Sequence, residues 1–298
     1  MVTLSNPILR VQIAQEGGSI RNFEVLVDGV WEQLFVVGEP GLAPCFPLVP
    51  FASRIRNATL TWAGRTHALE PSLGFAPHAI HGHGWRVGWQ VVKTDETSVV
   101  HQYTHQSDAA GWPWSYRAEQ AFVLEDDALT VSLFVQNLSE APMPAGLGLH
   151  PYFRVTEEMQ VKMSLSRRWQ MDEEVFPVVS EALPEDMNFA EGIHPTTMAV
   201  DAVFEGWDGE AQVDWSDLGV CLELKTDPVL EHVVVYTPGN TVSDDPKFVC
   251  VEPVTHLTDA FNIMGLGGES HGTRVLEPGE TFALTVGFRV RLNEKGSA

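Results

Sequence analysis

The sequence predicts an all-β protein, a large antiparallel β-sandwich, on three observations. Apolar residues recur at every second position, turns rich in Gly, Pro and Asp separate these runs, and no strand–helix–strand alternation is present. The period of two is clearest near the C-terminus, where Phe282, Leu284, Val286, Phe288, Val290 and Leu292 alternate with Ala283, Thr285, Gly287, Arg289 and Arg291. That pattern is one half-buried strand. Before it, Leu276-Glu277-Pro278-Gly279-Glu280 puts Pro and Gly at the central positions of a type II turn, so residues 274–292 read as strand, turn, strand. Upstream, residues 121–124 and the alternating Leu129, Val131, Leu133 and Val135 flank the acidic turn Glu125-Asp126-Asp127, which reads as a hairpin.

Further strand windows are residues 8–14, 23–27, 60–63, 89–93, 99–104, 159–165, 220–226, 232–237 and 247–254. The best helical window, 172–191, is broken by Pro177 and Pro184, each of which removes a donor and clashes with the preceding turn. Residues 265–268 read as a loop. No linker, repeat or low-complexity segment divides the chain, so residues 1–298 are expected to form one domain.

Composition narrows the function. With 18 Lys and Arg against 40 Asp and Glu, the formal charge is −22, and no basic run exceeds Arg167-Arg168. Phosphate backbones and anionic membrane surfaces are bound through concentrated Lys and Arg, so neither is an expected partner. Apolar residues at 44% and charged residues at 19% point to a globular chain with a large core rather than an acidic disordered one. Cys45, Cys221 and Cys250 are odd in number and set among apolar neighbours, which suits a reducing compartment. With no basic leader and no stretch of about 18 apolar residues, a soluble cytoplasmic protein is expected.

Four stretches carry residues able to do chemistry. In Pro50-Phe51-Ala52-Ser53-Arg54-Ile55-Arg56, Arg54 lies in an apolar run and either snorkels outward or is held by acceptors. In Pro77-His78-Ala79-Ile80-His81-Gly82-His83-Gly84-Trp85, His81 and His83 share a side of an extended chain and pair with His78 as conceivable metal ligands. No Glu follows them, and no third and fourth ligand can be named, so no metal is assigned. Nearby tryptophans suit stacking on a sugar ring or plain core filling. In Gly148-Leu149-His150-Pro151-Tyr152-Phe153, His150 and Tyr152 share one face of a strand end, and an imidazole works as acid or base near neutral pH. In Cys250-Val251-Glu252-Pro253-Val254, alternation draws Glu252 into apolar surroundings, where burial raises and a nearby Arg lowers its pKa. Such a carboxylate is either a general base or a sheet-end salt-bridge partner.

Phosphate-loop, Rossmann, Gly-x-Ser-x-Gly and Cys-x-x-Cys motifs are absent from the sequence, which leaves His and Glu chemistry without an obvious cofactor.

Taken in order, residues 50–55, His81-Gly82, His150-Pro151-Tyr152-Phe153, and Glu252 with Asp259-Ala260-Phe261-Asn262 resemble the aldose 1-epimerase (galactose mutarotase) family, over residues 18–292 and including the turn at Pro278-Gly279. His83 and Trp85 follow a bacterial subgroup pattern. The resemblance implies a galactose mutarotase-like supersandwich that interconverts the α and β anomers of a free hexose, as a monomer or homodimer with no cofactor. It matches Glu252 to the base that deprotonates the anomeric hydroxyl and His150 to the acid that protonates the ring oxygen. Arg54 and His81 match sugar-holding residues, and Asp201, in Val200-Asp201-Ala202-Val203-Phe204, matches an aspartate that binds ring hydroxyls. The alternative is a non-catalytic carbohydrate-binding or sensing protein on the same fold. Arg54, Arg56 and Arg86 are the clustered cations that an acidic sugar would need.

Overall fold

A computed structural model describes the chain except residues 39–40, 108–110, 228–229, 231, 239–247, 266, 270 and 294–298. Two large antiparallel sheets dominate the described residues. The first runs in the order Gln90–Thr94, Ser98–His105, Tyr116–Leu124, Ala128–Asn137, Thr281–Leu292, Val220–Asp227, Glu210–Trp215, Met159–Met163. The second runs Pro177–Ala182, Arg167–Met171, Val200–Glu205, His232–Thr237, Phe248–Val254, Gly148–Leu149, Pro47–Leu48, with Tyr152–Arg154 also on Phe248–Val254. A four-stranded meander, Val2–Ser5 to Val30–Gln33, precedes them. The all-β antiparallel expectation is met.

Strand alternation sorts the second sheet into two faces. Ala202, Phe204, Val233, Val235, Val249 and Val251 enter the main core, shared with the first sheet. Val203, Val234, Cys250 and Val254 belong to a smaller apolar cluster on the opposite face, beneath Ala52, Leu257 and Ala260. Asp201 and Glu252 lie on that second face, because they share parity with Val203 and Cys250 along their strands.

At the centre of the main core Phe35 is fully buried, with ring centroids 5.2 Å from Phe23, 5.2 Å from Phe153 and 5.3 Å from Phe288, all edge-on. Phe35→Ala is expected to lower the unfolding free energy by about 3–5 kcal/mol, read by urea denaturation, because a cavity replaces three aromatic contacts.

Predicted and observed elements differ where patterning is weak. The Arg167–Met171 and Pro177–Ala182 strands were not expected; both carry exposed or half-buried residues on both faces, which erases the period of two. The second occupies part of the window 172–191, with Pro177 at its first position on a sheet edge, where no ladder donor is missed. Gly265, expected in a loop, closes the short helix Ala260–Gly265. Lys247, the predicted start of the last site strand, lies outside the described residues, and that strand runs Phe248–Val254. No helix among the described residues is long and apolar enough to cross a membrane.

Candidate active site

Sheet register brings the candidate acid and base together. Gly148 pairs with Val254 and Tyr152 with Cys250, so the place opposite Glu252 belongs to His150, where the partner chain leaves the ladder between two short strands. The His150 Nε2 lies 3.2 Å from Glu252 Oε1, and both residues are almost wholly buried. Pro253, which has no N–H to donate, falls beside this interruption. Across His150 the row continues to Phe46, whose carbonyl accepts the His150 N–H at 3.0 Å and whose ring stacks on the imidazole at 4.7 Å. Tyr152 stacks on the same imidazole at 4.6 Å. In the other direction Glu252 stands beside Val234.

Arg54 and Asp201 form the mouth above this pair. Asp201 pairs with Tyr236 and Tyr236 with Cys250, one residue row from Glu252. The Arg54 guanidinium lies 3.6 Å from the Asp201 carboxylate, with side chains 20% and 32% exposed against 7% and 3% for His150 and Glu252. The charged pair is therefore the solvent-facing part of this cluster and the dyad its buried part. His81 completes the wall, its ring centroid 5.2 Å from that of His150. It sits at a φ of 59°, in the left-handed region, as Ser53 does at 57°. Non-glycine residues held there mark places where surrounding structure overrides local preference, a recurrent property of functional sites. The His81 Nδ1 accepts the Ser53 N–H at 3.1 Å, which leaves the proton of a neutral imidazole on Nε2 as a donor.

Burial sets the electrostatics. It pushes the Glu252 carboxyl well above its usual range, helped by the Asp201 charge and opposed by Arg54. It pushes His150 down to about 3 and His81 well below the ordinary imidazole value, His81 also by His150 and Arg54. Both shifts on the dyad favour the uncharged form, so Glu252 and His150 together hold one proton across a wide pH range.

His256, lowered to about 4 by burial, contributes to acid sensitivity. Its folded pKa lies below the unfolded value near 6.5, so its stabilising contribution is intact above pH 6.5 and is lost as pH falls towards 4. That loss is expected to be on the order of 3 kcal/mol from the shift alone, and urea midpoints at pH 7 and pH 4 in wild type and His256→Gln measure it. The Gln variant keeps an acceptor and does not titrate, so its midpoint is expected to fall less.

The structure separates the histidines that the sequence grouped. His81 turns into the site, whereas His83 stacks on His105 at 4.7 Å and stands 3.4 Å from the Tyr116 hydroxyl. His78 accepts the Asn57 N–H at 3.0 Å and faces Glu174. The shared side expected for His81 and His83 fails because the left-handed turn at His81 breaks the extended geometry. His81, His150 and Glu252 do gather ligand atoms within 4.8 Å of one another. The Ser53 bond nevertheless keeps a proton on His81 Nε2, so that donor set suits a hydroxylated ligand better than a cation. Arg56 is engaged by Asp172 at 2.6 Å and Glu174 at 2.7 Å, so it is not an open anion site, and Arg86 lies over the Trp85 ring and donates to the Gly82 carbonyl at 3.4 Å. Phe46 and His256 escaped sequence reasoning because an isolated Phe among apolar neighbours, or a single His between Thr255 and Leu257, carries no pattern. Cys45, Cys221 and Cys250 are buried, and none is in a disulfide.

A sequence model of the family described as aldose 1-epimerase matches residues 1–289. The uncharacterised Escherichia coli protein YphB is 29% identical over 97% of this chain and 98% of its own. A crystal structure from Escherichia coli K12 superposes with a TM-score of 0.87, at 29% identity over 97% of this chain and 98% of that one. The GalM/aldose epimerase homologue from C. elegans gives 0.82 at 15% identity, over 98% and 99% of the two chains. Galactose 1-epimerase from Lactobacillus acidophilus gives 0.76 at 17%, over 98% and 94%. The last two are alike in fold.

Proposed function

Because the chain belongs to the aldose 1-epimerase family, we propose that it is a mutarotase that opens and recloses the ring of a free, uncharged aldose. The observation that carries this reading is the buried Glu252–His150 pair, 3.2 Å apart beneath Arg54 and Asp201. Ring opening needs one group to accept the proton of the anomeric hydroxyl while another donates to the ring oxygen. A pair holding one proton supplies both roles once that proton resides on His150. Shifting it from the Glu252 carboxyl to Nε2 creates carboxylate and imidazolium together without changing net charge.

Sugar hydroxyls entering the site favour that ionic form by replacing lost solvation with hydrogen bonds, and Arg54 favours the carboxylate directly. Glu252 then takes the O1 proton, the C1–O5 bond breaks, and His150 protonates O5 to leave an open-chain aldehyde. Rotation about C1–C2 followed by the reverse transfers gives the other anomer and restores both residues. Arg54 and the His81 Nε2–H donate to ring substituents while Asp201 accepts from neighbouring hydroxyls. With Arg54 facing Asp201 and Arg56 held by two carboxylates, both arginines already have acidic partners, which favours an uncharged sugar over a phosphorylated or sulfonated one.

The test is conversion of freshly dissolved α-D-glucose and α-D-galactose, followed by polarimetry or NMR. Acceleration of either supports the reading. Calorimetric sugar binding without acceleration of any aldose would instead favour a binding or sensing protein, a role that has no use for a buried proton-sharing pair.

A further inference from the structure

The segment that presents Arg54 is scarcely paired in a sheet. Only Arg54 and Ile55 form a short ladder, with Ile80 and Ala79. Along the rest, backbone donors go to side chains. The Ala52 N–H donates to His256 Nε2 at 3.0 Å, and the Ser53 N–H to His81. The Arg56 N–H donates to Asp259 Oδ1 at 3.2 Å, and the Asn57 N–H to His78 Nδ1 at 3.0 Å. Asp259 grips twice, since its own N–H donates to the Arg54 carbonyl at 3.0 Å.

Those acceptors oppose local preference. Ser53, Asn57 and Ala58 have φ of 57°, 52° and 47°, a region costly for residues with a Cβ. His256 is itself fixed: its Nδ1–H donates to the Leu257 carbonyl at 2.8 Å, which commits Nε2 to accepting. A side chain at Gly146 would collide with its imidazole, so the absence of a Cβ there makes room for the ring. His78 and His256 are 7% and 2% exposed, and Ala52 is wholly buried, so its N–H stripped of the His256 acceptor would be left buried.

We infer that His256, His78 and Asp259 are positioning residues, which hold the 52–57 loop in the conformation that aims Arg54 across the mouth towards Asp201. The kinetic part of this inference rests on the mutarotase reading. A loop released from its acceptors populates the sugar-competent conformation only part of the time, which weakens apparent affinity in proportion. Because Arg54 holds ring substituents in ground and transition states alike, the loss falls on KM rather than kcat.

The experiment compares acceptor-removing with acceptor-restoring variants in the full chain. His256→Leu keeps bulk and deletes the acceptor, whereas His256→Gln restores an oxygen near Nε2. His78→Leu and His78→Asn do the same at the Nδ1 position. The Leu variants are expected to raise KM for glucose or galactose about tenfold, with kcat changed by less than about threefold, and the Gln and Asn variants to recover most of it. Amide hydrogen exchange at residues 52–57 is expected to accelerate in the Leu variants and to return in the others.

Unchanged KM and loop exchange in the Leu variants, a fall in kcat alone, or failure of the polar variants to rescue would each overturn the assignment. If wild type accelerates no sugar, the mutarotase reading fails by itself, and the exchange comparison still decides the role of the loop acceptors. Should His256→Leu not fold, the His78 pair at the far end of the loop provides the same contrast.

Discussion

Glu252→Gln is expected to abolish most of the acceleration of anomer exchange, lowering kcat by about 10²–10⁴-fold, while the protein stays folded. The amide keeps the shape of the carboxyl and its place opposite His150, so sheet register and burial are undisturbed. What it loses is the ability to take the O1 proton. Stability is expected to hold or to rise, because a carboxyl whose pKa burial has raised no longer has to be accommodated as an ion above that pKa. The sign follows from linkage: a group with a raised folded pKa stabilises below its unfolded value and loses that contribution as pH climbs through the folded one. Polarimetry together with urea denaturation at pH 8 tests both halves. A folded variant with wild-type rates would move the base elsewhere.

His150→Gln is expected to cost a similar 10²–10⁴-fold in kcat, and the wild-type pH profile should show why. A solvent-exposed imidazole acting alone as acid would lose its proton near pH 6.5, and activity would fall above it. Here the relevant species is the pair with one proton. Its acid limit is set by second protonation, for which His150 has been lowered to about 3, and its alkaline limit by departure of the proton that burial holds on Glu252. Thus the acid limb of kcat/KM is expected near pH 3 rather than near the ordinary imidazole value, and the alkaline limb where Glu252 ionises, above the usual carboxylate range. Assays need to be brief below pH 6, where His256 starts to withdraw its stabilising contribution. An acid limb centred near pH 6.5 instead of near 3 would show that His150 keeps an ordinary imidazole value despite its burial.

Much of this molecule was legible from the chain alone, for reasons tied to particular residues. The 281–292 strand announced itself because one face meets the main core and the other meets solvent, which writes a period of two into the sequence. Glu252 stood out because a carboxylate at an apolar position of a buried strand is chemically expensive, and that cost is visible wherever it falls. His150, Arg54, His81 and Asp201 were named through short motifs in order, and the fold brings them together beside Glu252. Asp201 and Glu252 lie on the second large sheet, Arg54 on the 52–57 loop and His81 on the turn it packs against. The Arg167–Met171 strand left no signal because both of its faces are partly wet.

Strand grammar, turn chemistry, charge balance and the candidate acid–base side chains are properties of local sequence, and these the chain determined by itself. Tertiary structure alone decided that His150 opposes Glu252 across an interrupted ladder, that His83 turns away from His81, and that three imidazoles and Asp259 support the segment bearing Arg54. These depend on register between strands about a hundred residues apart and on left-handed backbone at Ser53 and His81. Both are fixed only when the whole core closes, because no local interaction favours either one beforehand.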